Sequence, residues 1–227
     1  MTRSLNARLA GFAFLFYIAV GIGALVVGNG ATAGTGMAAK LANIAQHTAD
    51  LRLVALLSLA SCFAALVLGV TLYSLTREVD ADLALLGLVC RVIEAVPGIA
   101  GTLGLVWLAA SVEAKAFDPA VAQAFGAFLL RPGDGSGAIF FAVASSVFAV
   151  LFWRGRLVPR ALAGLGIVAS VLLAVVLPLQ LAGWLGGPSS WAASFTWLVW
   201  LPMLVYEVAL AGWLIVKGAA PSPTLSR

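Results

Sequence analysis

Charge is the scarcest commodity in this 227-residue chain. Only 10% of its residues are Asp, Glu, Lys or Arg, against 63% that are apolar, whereas an ordinary soluble domain is roughly 25% charged. With a mean hydropathy of +1.09, so few ionic groups cannot cover the surface of a water-soluble fold. That excludes a soluble enzyme, a disordered protein and a nucleic-acid-binding domain. Histidine is nearly absent too. The single His47 cannot provide bis-histidine haem ligation, and no Cys/His cluster offers a zinc or iron site. Two cysteines, Cys62 and Cys90, lie inside apolar runs, as small buried residues rather than a disulfide or metal framework. No metal and no cofactor is expected.

What is present is a set of long apolar runs. Six stand out, at Leu9–Gly28, Leu53–Leu75, Leu83–Leu108, Ala138–Trp153, Ala161–Leu185 and Phe195–Val216. Each is long enough, or nearly so, to cross a hydrocarbon core of about 30 Å at 1.5 Å per residue. A backbone in lipid must satisfy its own hydrogen bonds, and the runs lack the alternation of barrel strands, so they are helices. The expected fold is all-α: a polytopic bundle of six transmembrane helices forming one domain over residues 1–227, with a short polar tail at 218–227. The fourth run is short and gains a turn from Gly135–Gly137.

The net charge of +4 serves topology. With the amino terminus inside, Arg3, Arg8, Arg77, Arg154, Arg156, Arg160, Lys217 and Arg227 lie on the inner side. Lys40, Arg52, Lys115 and Arg131 lie outside, and Arg91 falls within a span. This excess places both termini in the cytoplasm. Trp107, Trp184, Trp191 and Trp197 then fall near the outer boundary, and Trp153 and Trp213 near the inner one, as an aromatic belt. Arg3, Arg8 and Ala31-Thr32-Ala33 have the look of a secretory signal, but the apolar stretch between them exceeds the roughly 7–15 residues of such segments. An uncleaved first helix is expected.

Two outer connections carry structure of their own. Met37–Asp50 has helical apolar spacing and leads into the second span as a short interfacial helix. Asp118-Pro119 reads as an N-cap followed by proline at the first helical position, opening Ala120–Leu130, which is too short to cross. The glycine-rich run from Arg131 to Gly137 lacks the Gly-Lys-Ser/Thr ending of a phosphate loop and reads as a turn.

The candidate site is the set of ionisable groups inside the spans: Arg91 and Glu94 on the third, and Glu207 beside Tyr206 on the sixth. Such groups cost at least ~2.5–3.5 kcal/mol for an arginine on insertion scales and face the interior of a bundle. Arg91 and Glu94 are three apart and share a face. Counted from the inner ends, Arg91 lies about 12 Å deep, Glu94 about 16 Å and Glu207 about 15 Å. The three therefore meet at one level, one cation between two carboxylates. The trio carries an excess negative charge unless one acid, Glu207 in this reading, holds a proton. Gly87, Arg91, Glu94, Gly98 and Gly101 form a small and polar stripe on the third span. Comparable stripes run through Ala138, Ala142, Ser145 and Ala149, and through Ser58, Cys62, Ala65 and Gly69; small residues let helices approach closely in lipid.

Several short motifs resemble a known bacterial membrane family. They are Ala7-Arg8-Leu9-Ala10-Gly11, Asn43-Ile44 with Leu51-Arg52-Leu53, and Arg91-Val92-Ile93-Glu94-Ala95. Gly155-Arg156-Leu157-Val158-Pro159-Arg160 running into Leu162-Ala163-Gly164 adds to them, as does Glu207 with Trp213-Leu214-Ile215-Val216-Lys217-Gly218. The chain is similar in these to the family catalogued as domain of unknown function 4386. The resemblance implies six helices in the bacterial cytoplasmic (inner) membrane and no established activity.

Three functional classes follow. The first is a binding or accessory membrane protein whose Arg91/Glu94/Glu207/Tyr206 cluster holds a lipid-like small molecule or a partner helix, or acts as a structural latch. The second is an integral-membrane enzyme on a lipid or isoprenoid, with Glu94 or Glu207 as general acid. The third is a small proton-coupled transporter acting as a dimer. The partner common to all is the lipid bilayer; nucleic acid is excluded, and the sequence leaves the oligomeric state open.

Overall fold

Apolar side chains all round a segment leave its backbone to bond only with itself, and the long runs do so as helices. The computed structural model describes residues 2–114, 116–130, 136–185 and 191–221. Among these residues there are eight helices and no strand. Six are long and apolar enough to cross a membrane: α1 (Arg3–Ala31), α3 (Thr48–Thr76), α4 (Ala81–Glu113), α6 (Ser136–Arg154), α7 (Arg160–Leu181) and α8 (Trp191–Val216). Two are short, α2 (Met37–Gln46) and α5 (Pro119–Leu129). Five of the expected spans lie wholly inside their helices. The glycine run at 131–135, the cations Lys115, Arg131 and Arg227, and the side chains of Trp191 and Trp197 lie outside the described residues.

The end of α7 differs from its expectation. The apolar run continues to Leu185, yet the helix stops at Leu181. Gly183 sits at φ +77°, its N–H bonded to the Gln180 carbonyl while that of Trp184 reaches Leu179. This is the left-handed helix stop that glycine permits, and it overrides hydropathy. Arg156 ends α6 in the same way at φ 50°, with Leu157 N–H bonded to the Phe152 carbonyl. Pro159 at φ −53° then starts α7.

The chain divides into two compact units. The first comprises Met1–Phe16, Ala64–Glu94 and Asp134–Arg227. Here α6 packs on α7 and α7 on α8. A Cβ on Gly11 of α1 would lie 2.7 Å from both the Ala211 carbonyl oxygen and Ile215 Cγ1 of α8, so the absent side chain lets these two helices touch. The connections at one end of this unit are tied together. Arg3 donates to Glu78 Oε2 at 2.9 Å, to the Leu75 carbonyl at 3.3 Å and to the Ala220 carbonyl at 3.1 Å. Arg154 pairs with Asp80 at 3.4 Å, and the Ala220 N–H bonds the Leu157 carbonyl. Arg3, Ala220 and the connections after α3 and α6 thus share one end of the unit.

The second unit comprises Tyr17–Phe63 and Ala95–Gly133. In it α2 packs on α5 around Leu41, Ile44, Leu51, Leu108, Ala109 and Ala122. The Asn43 side-chain amide donates to the Gly30 and Ala31 carbonyls at 2.8 and 3.0 Å, closing the end of α1, where the last carbonyls of a helix lack partners. The Asp118 carboxylate accepts from the Ala120 N–H at 2.8 Å with Pro119 at the helix start, as the sequence pattern predicts. Trp107 meets Phe117 and Phe125 edge-on, with ring centroids 5.2 and 5.5 Å away.

Candidate functional site

The first unit buries an arginine. Arg91 of α4 is 1% exposed, Glu94 8% and Glu207 of α8 5%. A guanidinium is planar with five donors in a fixed fork, and here the fork is divided among three helices. Nη1 donates to both Glu94 oxygens, at 3.1 Å to Oε2 and 3.3 Å to Oε1. Nη2 donates to Ser145 Oγ of α6 at 3.3 Å and lies 3.9 Å from Glu207 Oε1. The guanidinium carbon stands 4.8 Å from the ring centre of Phe141, close enough for attraction to the negative face of the ring.

Small residues make this approach possible. A Cβ on Gly69 of α3 would lie 3.2 Å from Arg91 Cβ and 2.9 Å from Leu88, so its absence seats the arginine stem against α3. Gly87 likewise accommodates the Phe148 ring of α6. The stripe on α6 is buried at Ala142, Ser145 and Ala149, in agreement with its pattern. The stripe on α4 stops short of its expectation. Beyond Glu94, Gly98 and Gly101 are exposed, with no described atom within 4 Å of where a Cβ would stand. Beside them the Thr102 hydroxyl meets Ser58 Oγ of α3 at 3.2 Å, within the second unit.

The three charged residues expected at one depth are thus brought together. Tyr206 is buried, and its ring sits over Gly166 of α7, where a Cβ would collide with Cε2 and Cζ. It neighbours Glu207 in sequence but points about 100° around the helix, so it anchors α8 to α7. Ser145 was visible only as one member of a small-residue stripe. Phe141 carried just one signal, its placement four residues before Ser145, which puts both on one face of α6. Neither reveals in sequence that α6 is the helix facing Arg91.

The cluster buries one guanidinium against two carboxyl groups. Glu94 is fully engaged by Arg91. Glu207 is the looser partner, since its Oε1 lies beyond hydrogen-bond reach of Arg91 and accepts no hydrogen bond among the described residues. Cys90, next to Arg91, is buried and Cys62 is half-buried, and the two form no disulfide. Among the described residues no three His, Cys, Asp or Glu side chains are grouped to hold a metal ion.

Six apolar helices and a buried ion-pair cluster define a multi-pass α-helical membrane protein. More particularly, the chain belongs to the family described as Domain of unknown function (DUF4386), whose model matches residues 9–218. No curated protein and no solved structure matches it.

Proposed function

We propose that this chain is a binding or accessory protein of the bacterial cytoplasmic membrane. In this reading residues 1–227 act as one transmembrane domain with both termini in the cytoplasm. Arg91, Glu94 and Glu207 are its polar latch, holding α4, α6 and α8 in register. The observation that carries the latch is the division of one fully buried guanidinium among Glu94, Ser145 and Glu207. An arginine held for substrate would turn donors toward an open space. This one gives Nη1 to Glu94 on its own helix and turns Nη2 to α6 and α8, where polar contacts supply the orientation that apolar burial cannot supply in lipid.

A second reading rests on Glu207. Its loosely held carboxyl is suited to carry a proton, either as general acid of an enzyme on a lipid or isoprenoid, or in a proton-coupled transporter acting as a dimer. The two readings separate in a pair of variants. For a latch, the triple substitution Arg91→Met, Glu94→Gln and Glu207→Gln folds with a thermal midpoint within a few degrees of the parent, because a buried ion cluster contributes little beyond what neutral packing can replace. Glu207→Gln alone then leaves the native mass spectrum of the gently purified protein unchanged. A co-purifying small molecule lost in a folded Glu207→Gln variant overturns the latch. Proton flux into liposomes that this variant abolishes overturns it in favour of transport.

A further inference from the structure

The first unit also contains a cleft of 610 Å³ between α1 and α3, on residues separate from the ion cluster and independent of its role. Its volume lies within the roughly 300–1,000 Å³ of small-molecule sites. The walls change character along the helix axis. Leu9, Leu66, Val67 and Val70 line the deep part, whereas Asn6, Ser74 and Arg77 line the mouth. From Arg77 to Leu66 is about 16 Å along a helix, half the thickness of a hydrocarbon core of about 30 Å. The cleft is therefore one leaflet deep. Val67 and Val70 are exposed, so it opens sideways, where hydrocarbon surrounds a membrane-spanning helix.

The mouth favours one sign of charge. Arg3 is spent on Glu78 and two backbone carbonyls, so that pair is neutral overall. Arg77 is exposed and belongs to no ion pair among the described residues. One net positive charge thus stands above an apolar slot, with amide and hydroxyl groups from Asn6 and Ser74 beside it.

We propose that this cleft binds one anionic glycerophospholipid, its phosphodiester at Arg77 and an acyl chain along Leu66, Val67 and Val70. The shared chemistry with a soluble phosphate ester is the anion; the apolar slot is what selects the lipid. Native mass spectrometry of the detergent-solubilised full chain, titrated with phosphatidylglycerol, phosphatidylcholine or glycerol 3-phosphate, tests it. The parent retains one phosphatidylglycerol. Arg77→Gln weakens that binding about five-fold, the effect of one arginine near an anionic headgroup, and Arg77→Lys restores it. Val70→Trp, which fills the slot from an exposed position, removes it, while melting curves of all variants match the parent. Equal affinity in Arg77→Gln, equal binding of phosphatidylcholine, or retention in Val70→Trp overturns the proposal. Glycerol 3-phosphate binding as tightly as the lipid overturns it in favour of a free-phosphate site.

Discussion

The two units hold their helices by different means. In the first, ionic and hydroxyl groups are buried deep in the spans: Arg91, Glu94, Ser145, Ser170 and Glu207 are all buried. In the second, Ser111 is the one polar side chain among the described residues that is buried. Its order comes from the apolar packing of α2 and α5, the edge-on rings around Trp107, and the Asn43 amide that closes α1. The contrast follows from the solvent expected around each element. Between membrane helices the lipid is as apolar as leucine, so polar contacts and close backbone approach must fix orientation. Short amphipathic helices such as α2 and α5 can instead use burial from water.

Breaking the cluster on one side should have the largest effect. Arg91→Met leaves Glu94 and Glu207 together without their cation and should cost about 4 kcal/mol, read as a large fall in thermal midpoint in detergent. A midpoint equal to the parent's would mean the first unit does not depend on its ions. Next is Ile44→Ala in the second unit. Ile44 is fully buried in α2, and the cavity should cost about 3 kcal/mol. Hydrogen exchange should speed up in 37–46 and 119–129 while 81–94 stays protected. Faster exchange in both units alike would dissolve the contrast between them.

Smaller changes sharpen the comparison. Ser145→Ala removes one acceptor from Arg91 and should cost about 1 kcal/mol. Ser58→Ala, which breaks the hydroxyl pair with Thr102, should cost about 0.6 kcal/mol, the average for such contacts between membrane helices. A double-mutant cycle of each pair measures the difference. Coupling at Ser58–Thr102 as strong as at Arg91–Ser145 would show that charge adds nothing to the hydroxyl contact.

The helices were legible because hydropathy is a local property summed over about 20 residues. The cluster was legible because Arg91 and Glu94 are helical neighbours and because charge inside a span is rare enough to be counted. The end of α7 was not, since the apolar run continues past Leu181 and only the left-handed Gly183 stops the helix. The stripe on α4 misled at Gly98 and Gly101, because glycine at helical spacing permits close approach without supplying a neighbour to approach. Phe141 and Tyr206 were ordinary aromatic residues in apolar runs until their facing helices were known.

Scarcity of charge and six long apolar runs determined that this is a membrane protein with six helices long enough to span, and the scarcity singled out Arg91, Glu94 and Glu207. Those conclusions need only local hydrophobicity, helical rise and the cost of an ion in lipid. The tertiary structure decided that Ser145 and Phe141 complete the arginine's surroundings, that Glu207 is held more loosely than Glu94, and that Tyr206 faces α7. It also placed Arg77 at a cleft lined by Leu9, Leu66, Val67 and Val70. Each of these depends on which helix faces which, and a uniformly apolar surface carries almost no sequence signal for that choice. It is made by glycine gaps, ring shapes and a few polar contacts between residues far apart in the chain.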